Sequence, residues 1–425
     1  MKVSRVEEVL AEAIRQDIIS DDDPAALLYD TDEFANTIGQ VQRAFPESTL
    51  HTIAVKANPV SRLLEFARDR GLGAECASLP ELQHALRIGF TPTKVVFDSP
   101  AKTVGELSYA LEKGVYLNID NFQELERISA LTNGNAFLPR CGLRINPQIA
   151  PAPSAAEKET YTATNTSIPT SKFGIPLTEN RDQVIQAFRK YSWLRGLHVH
   201  SGSQFVPVED VVKAVRLVVE LAKEIRSVSG RAPDIIDIGG GLPVNYENDE
   251  SNPHLSKYLA GLWEQCPDLF NYSTVTEFGR LLNSKSGWAV TRVEYTKESG
   301  NRPIAVGHFG ADLFVRTAYV PERWQHRVTV HSPSGKAKTG QELEQNIAGP
   351  LCFSGDLVAS SRVLPRIEVG DLVVIHDAGA YTLSMWSRYN SRQSPAVYGY
   401  RGDSRIEIQK FRARETVDDV LRFWA

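Results

Sequence analysis

The sequence predicts an α/β chain of two domains: a (β/α)8 TIM barrel and a second, all-β domain of Greek-key barrel or sandwich type. Three observations point there. Between about residues 35 and 284, eight apolar strands alternate with amphipathic helices, and eight such units in roughly 250 residues suit a closed barrel better than an open doubly wound sheet. Polar residues of mixed chemistry stand at the C-terminal ends of successive strands, where a barrel gathers its reactive groups. Beyond about residue 285 the segments become short, β-rich and separated by turn residues.

At 425 residues the chain is too long for one core, and the pattern divides it into 35–284 and a second domain of 1–34 with 285–425. A hydrophobic share of 42%, a charged share of 23% and a net charge of -5 give no reason to expect nucleic acid or an anionic membrane as partner. No apolar run reaches the length of a membrane span, and the first residues read as an amphipathic helix with acidic positions rather than a signal peptide. The four cysteines, Cys76, Cys141, Cys266 and Cys352, lie far apart with no CxxC pair. That spacing argues against zinc and a disulfide framework and favours a reducing, cytoplasmic location.

In chain order, a helix opens the sequence and a strand follows at 26–30. The barrel strands read as 53–56, 73–77, 95–98, 115–120, 142–146, 196–200, 235–239 and 275–277. Helices fall at 61–70, 79–88, 104–113 and 208–228. The Pro-, Ala- and Thr-rich run 148–170 is expected to form a mobile loop over the pocket. Strands of the second domain read as 287–295, 303–307, 327–331 and 372–376, with turns at 332–336 and 369–371 and a closing helix at 416–424.

The strand ends carry Lys56, Glu75, Asp98, Asp120, Arg144, His200, the run Gly239, Gly240 and Gly241, and Glu277. Lys56 follows the apolar run Ile53-Ala54-Val55 and precedes Asn58-Pro59, where proline stops the strand. Taken alone it is a lysine snorkelling at a strand terminus, but desolvation also lowers an ammonium pKa toward the neutral amine that a Schiff base requires. Three glycines directly after a strand can present backbone N–H groups to a phosphate, or can simply make a tight turn. Glu277 and Arg280 place a carboxylate and a guanidinium three residues apart. The guanidinium suits a phosphate and the carboxylate a cationic ring nitrogen, unless the two form a surface ion pair. His198 and His200 share a face at strand spacing. No HExxH or Cys/His cluster accompanies them, so an imidazole stacked on a flat cofactor, with Ser203 on a phosphate, fits better than a metal. In the second domain Cys352 lies between proline and glycine with Asp356 nearby, either as a small buried hydrophobe or as a general acid. Tyr381 follows a glycine and could meet a phosphate or a ring.

In order, AVKAN at 54–58, ECAS at 75–78, LRINP at 143–147, SKFG at 171–174, GLHVHSGSQ at 196–204, DIGGGLPV at 237–244, EFGR at 277–280, GPLCFSGD at 349–356, and GAY with SMWSRYNSR at 379–392 resemble the barrel-fold (fold type III) pyridoxal-phosphate decarboxylases, most closely the diaminopimelate decarboxylase branch. The resemblance implies an amino-acid carboxy-lyase with pyridoxal 5'-phosphate held by Lys56 and His200 stacked on its ring. It implies Ser203, Gly239, Gly240, Gly241, Arg280 and Tyr381 on the phosphate, and Glu277 on the pyridine nitrogen. Arg144 would lie near the ring and Glu75 close to Lys56. Cys352 would act in the partner subunit's site, so a homodimer with shared active sites is implied. Candidates on the substrate side are Arg316, Tyr319, Phe353 and Asp356. The sequence departs from the pattern in three places. Phe278 replaces a proline, Phe353 replaces the acidic residue that binds the substrate's distal amine, and Tyr319 follows Arg316 by three residues rather than four. A decarboxylase of another or modified amino acid is therefore the rival reading. The intact GPLC motif argues against a racemase, and retention of Lys56, His200, Glu277, Arg280 and Cys352 argues against a non-catalytic homologue.

Overall fold

A computed structural model describes residues 3–132, 140–149, 164–250, 253–402 and 405–425. It forms two compact units: Ile38–Val244 with Asn252–Leu281, and Met1–Thr37 with Asn245–Ser251 and Leu282–Ala425. In chain order the strands are β1 (Ala25–Asp30), β2 (Leu50–Ala54), β3 (Gly73–Cys76), β4 (Val95–Asp98), β5 (Tyr116–Ile119), β6 (Cys141–Asn146), the two-residue β7 (Ile175–Pro176), β8 (Leu194–His198), β9 (Ile235–Asp237) and β10 (Ser273–Phe278). After them come β11 (Gly287–Arg292), β12 (Tyr295–Ser299), β13 (Arg302–Val306), β14 (Val328–His331), β15 (Glu342–Ala348), β16 (Leu357–Pro365), β17 (Leu372–Ile375), β18 (Ala396–Arg401) and β19 (Glu407–Arg412).

The first unit is the barrel. Its parallel strands run in the order β5, β4, β3, β2, β10, β9, β8, β6, and β6 pairs back onto β5 to close the ring. These strands read as apolar runs because both faces are covered, one by the barrel interior and one by helices. Val96, Tyr116 and Val275 fill part of the interior. Gly142 and Gly196 leave the space that Tyr116 needs, since a Cβ on either would meet its hydroxyl within 2.3 Å. Helices turn an apolar stripe inward, as Ser61–Asp69 does with Leu63, Leu64 and Ala67. The helix Val104–Lys113 starts at a Thr103–Glu106 capping box and stops at Gly114 in the left-handed region.

In the second unit, a six-stranded sheet runs β14, β17, β11, β1, β18, β19, and a four-stranded sheet runs β12, β13, β15, β16. Strand β1 lies antiparallel to β11 and parallel to β18, in the middle of a sheet otherwise made from the last third of the chain. The first helix, Val3–Arg15, packs Val6, Val9, Leu10 and Ala13 against Leu28, Trp288, Val290 and Val374. Asn245–Ser251 belongs to this unit by its contacts: the Tyr246 hydroxyl lies 3.3 Å from Ser284 Oγ, and Lys285 Nζ donates to the Asn248 carbonyl at 2.7 Å.

Three barrel strands stop two residues short of the sequence reading. Strand β2 stops at Ala54, and Val55–Ala57 is a single 3-10 turn, so Lys56 sits one turn past the strand. Strand β8 stops at His198 and β9 at Asp237. The extended pattern cannot continue through Gly239, whose φ is +64°. The segment read as one strand from 287 to 295 is two, β11 and β12. Of the run 148–170, residues 150–163 lie outside the described residues, and Asn165 bridges to Gly202.

Candidate functional site

Proline at 59 holds Asn58 extended, with φ -159° and ψ 105°, and the chain reaches it through the 3-10 turn that carries Lys56. Ala54 pairs in register with Glu75 on the neighbouring strand β3. The turn therefore brings the Lys56 amine onto Glu75, and Nζ donates to Oε2. The lysine side chain is 35% exposed and the glutamate fully buried. Burial pushes the Glu75 carboxyl up to about 8, against the pull of Lys56 and with help from Glu277 and Asp98.

The glycine run follows β9 and is packed where side chains cannot go. A Cβ on Gly239 would lie 2.6 Å from the Val199 carbonyl, one on Gly240 would lie 2.2 Å from the Glu277 carbonyl, and one on Gly241 would lie 1.9 Å from the Gly202 carbonyl. The loops after β8, β9 and β10 are thus pressed together, backbone against backbone. At the same place Arg280, the first residue of a short helix after β10, donates from Nη2 to Ser203 Oγ at 3.3 Å. A serine hydroxyl, a buried guanidinium and close glycine backbone form an anion cradle.

Beneath the rim lies a buried set of charges. Register places Arg144 level with His198, and His198 level with Asp237. Arg144 Nη1 donates to Asp98 Oδ2 at 2.8 Å and lies 3.9 Å from Asp120 Oδ1, with its guanidinium 4.6 Å from the centre of the Phe173 ring. His198 Nε2 is 3.5 Å from Glu277 Oε2, and its Nδ1 is 3.8 Å from Asp98 Oδ1. Burial alone would strip the His198 proton, but Glu277, Asp237 and Asp98 raise it to about 9. Burial acts to raise Glu277 as well, yet His198 first and then Lys56 hold it well below the usual carboxylate range. Neither Glu277 oxygen has a hydrogen-bond partner among the described residues.

His200 behaves in the opposite way. Burial first, then the Arg144 charge, lowers it to about 3, so the ring is neutral. Its Nδ1 accepts the Gly240 N–H at 3.2 Å, which leaves the ring proton on Nε2. His198, His200 and Glu277 are close enough to resemble a metal triad. However, the His200 Nδ1 lone pair is engaged by the Gly240 N–H, and His198 is raised to about 9, so neither nitrogen facing Glu277 offers a free lone pair.

The second unit carries the other candidates. Cys352 is exposed. Its N–H donates to Asn390 Oδ1 at 2.8 Å, and its carbonyl accepts from the Tyr389 hydroxyl at 3.1 Å. Phe353 stacks on Tyr319, with centroids 5.7 Å apart and planes 17° apart, and meets Tyr389 edge-on at 6.3 Å. Arg316 lies over the rings of Trp324 and Tyr381, at 4.7 Å and 4.8 Å. Asp356 is occupied differently from the other substrate-side candidates. It is buried, and its two oxygens accept the Ala311 N–H at 2.5 Å and the Leu351 N–H at 2.6 Å. This pins the Cys352 loop rather than offering a carboxylate to a ligand.

The barrel residues fit pyridoxal phosphate on their own chemistry: an anion cradle for a phosphate, a lysine amine for an aldehyde, and a buried anionic carboxylate without a hydrogen-bond partner for a protonated ring nitrogen. Barrel and site together define a pyridoxal-phosphate-dependent enzyme. Residues 31–284 match the family described as pyridoxal-dependent decarboxylase, pyridoxal binding domain, and the chain belongs to it. It is a carboxy-lyase, and its cofactor is pyridoxal 5'-phosphate. The chain is 30% identical over 400 residues to diaminopimelate decarboxylase of Helicobacter pylori, covering 93% of this chain and 94% of the relative. It is 34% identical over 375 residues to a probable chloroplastic diaminopimelate decarboxylase of Oryza sativa subsp. japonica, covering 87% of this chain and 73% of that one. The crystal structure of the Helicobacter pylori enzyme complexed with L-lysine superposes with a TM-score of 0.82 at 28% identity, covering 94% of this chain and 96% of that chain.

Sequence reasoning placed Lys56, Glu75, Arg144, His200, Ser203, the glycines, Glu277 and Arg280 at one end of the barrel, and the structure brings them together there. It did not single out Asn118, which donates to Asp237 Oδ2 at 3.0 Å, or give His198 a task of its own. The signal for His198 was its apolar strand: a buried histidine between Leu197 and Val199 needs charged partners from neighbouring strands.

Proposed function

We propose that the chain releases the α-carboxylate of a free amino acid as CO2, with diaminopimelate as the reference substrate. The observation that carries this reading is the convergence of Lys56, the Ser203–glycine–Arg280 cradle and anionic Glu277 on one rim. The lysine bound to the Helicobacter pylori relative supports it, since lysine is diaminopimelate less one carboxyl group. When bound, the cofactor supplies an electron sink for the pair left as the Cα–carboxylate bond breaks. Lys56 Nζ would hold the cofactor covalently. Arg280, Ser203, the three glycines and Tyr381 would hold its phosphate. Glu277 would keep the ring nitrogen protonated, His200 would lie flat on the ring, and Arg144 would stand near it. These fixed ends would orient the bound amino acid for loss of its α-carboxylate.

The proton that replaces the carboxylate at Cα would come from Lys56 Nζ or from Cys352 Sγ. We assign Cys352 to the site of a second copy, which makes the working form a homodimer with shared sites. Arg316 and Tyr319 are candidates to meet a substrate carboxylate. No described helix is long and apolar enough to cross a membrane, and the four free cysteines suit a reducing compartment such as the cytoplasm.

The aromatic trio favours a second reading of the substrate. Phe353, between Tyr319 and Tyr389, offers ring faces where a distal ammonium would want a carboxylate, and Asp356 is already pinned to the backbone. A differently substituted or modified amino acid with an uncharged far end suits such a surface. CO2 release measured across diaminopimelate, lysine, ornithine, arginine, and N-acylated and aromatic amino acids separates the readings. Turnover of diaminopimelate above all others supports the first. Preference for an uncharged side chain supports the second. No release from any amino acid overturns both.

A further inference from the structure

We propose that His198 is a positioning residue: buried between Asp98 and Glu277, it carries the positive charge that keeps Glu277 anionic and aimed at the ring nitrogen of the cofactor. This rests on the reading of Glu277 given above. The His198 side chain is fully buried, its Nε2 faces Glu277 Oε2 at 3.5 Å, and its Nδ1 faces Asp98 Oδ1 at 3.8 Å. Asp237, level with His198 on β9, is the third carboxyl group beside it. No hydroxyl or carbonyl among the described residues takes either nitrogen.

The need for that charge follows from what surrounds Glu277. Four carboxyl groups crowd the barrel end: Glu75, Asp98, Asp237 and Glu277, all buried. They cannot all ionise in a low-dielectric space. Burial and the Glu277 charge push Asp237 upward, and Glu75 is likewise raised, mainly by burial. Asp98 and Glu277 are the two that their neighbours hold below the usual carboxylate range. Arg144 answers Asp98 at 2.8 Å, and it is bound to that side. Lys56 sits on Glu75, and His200 is neutral with Nδ1 engaged by Gly240. His198 is therefore the cation placed to balance Glu277. With a neutral residue at 198, Glu277 would compete with Asp98 for Arg144 and would take up a proton at higher pH. A protonated Glu277 cannot hold a proton on a pyridine nitrogen.

The test uses the holoenzyme and two readouts. The first is His198→Gln, which keeps polarity and approximate size but cannot carry charge. It should retain cofactor, lose roughly tenfold to a hundredfold in kcat, the range seen for groups that orient a ligating residue, leave KM little changed, and move the acid limb of the pH profile to higher pH. The second is nitrogen NMR of histidine-labelled wild-type protein. One imidazole should keep both N–H protons to about pH 8, with and without cofactor, and its signal should vanish in His198→Gln. An unchanged kcat and acid limb in the variant, or a neutral His198 at pH 8 in the wild type, overturns the proposal. The NMR readout decides even if the variant does not fold. Failure of the wild type to bind cofactor would instead overturn the function proposed for the site.

Discussion

The Lys56 ammonium rests on Glu75, and the other carboxylate oxygen of Glu75 has no hydrogen-bond partner among the described residues. The pair joins a turn just past one strand to the end of the next, so amine and carboxylate are set by the barrel itself. With Glu75 raised to about 8, a proton is shared at this contact near neutral pH. Lys56→Ala should abolish CO2 release and the visible absorbance of lysine-bound cofactor. Glu75→Gln should keep the absorbance band and lower activity, because the amine loses its titratable carboxyl partner while the packing stays. Retained CO2 release in Lys56→Ala would refute the covalent role.

Gly240 is the strictest test of the cradle. Its added Cβ would lie 2.2 Å from the Glu277 backbone carbonyl, so the backbone itself would have to shift. Gly240→Ala should cost about 1–3 kcal/mol of stability through overpacking. It should also weaken cofactor binding at least roughly tenfold if the displaced loop includes the phosphate ligands. Fluorescence titration of the apoprotein with pyridoxal phosphate measures the second effect, and urea unfolding the first.

Phe353 decides the far end of the substrate. If an uncharged side chain lies on the Tyr319–Phe353–Tyr389 surface, Phe353→Glu should depress turnover of the preferred substrate. It should also raise turnover of diaminopimelate or lysine by supplying a charge-assisted hydrogen bond, on the order of 1.5–3 kcal/mol. Unchanged selectivity across the amino-acid panel would place Phe353 away from the substrate.

Stability should fall in acid. His51 is buried with Nδ1 2.8 Å from Thr276 Oγ1 and a Phe45 ring edge-on at 5.2 Å, and burial lowers it to about 4. The unfolded chain takes up this proton below about pH 6.5 and the folded chain does so only near 4, so stability is lost as pH falls through that window. At about pH 5 the loss is on the order of 2 kcal/mol for one such histidine. His200 and His376, both lowered to about 3 by burial first, act in the same direction. His198, raised to about 9, has the opposite sign: its contribution is complete below 6.5 and is lost as pH rises toward 9. His51→Asn, which can keep the contact to Thr276, should flatten the drop in urea midpoint between pH 7 and pH 5. An equal drop in the variant would show that His51 does not cause it.

Much of the site could be read from the chain because a barrel obeys a positional rule. Strand C-terminal ends share one rim, so Lys56, Glu75, Arg144, Glu277 and the glycines could be grouped without coordinates. Helix boundaries such as Val104–Lys113 were legible for a local reason, since the Thr103 cap, the 3.6-residue period and Gly114 lie within one segment.

What the sequence by itself determined was therefore periodic or local: eight βα units, a β-rich remainder, and the residue types at each strand end. Tertiary structure alone decided which of those residues lie level and which charges they carry. Closure of the ring sets Arg144, His198 and Asp237 side by side, and only that crowding raises His198 and Asp237 and lowers His200. It also turned Asp356 from a candidate ligand into a loop pin and put Phe353 against Tyr319, 34 positions away in the chain. Charge and contact in a buried site depend on neighbours from other strands, and no window of sequence contains them.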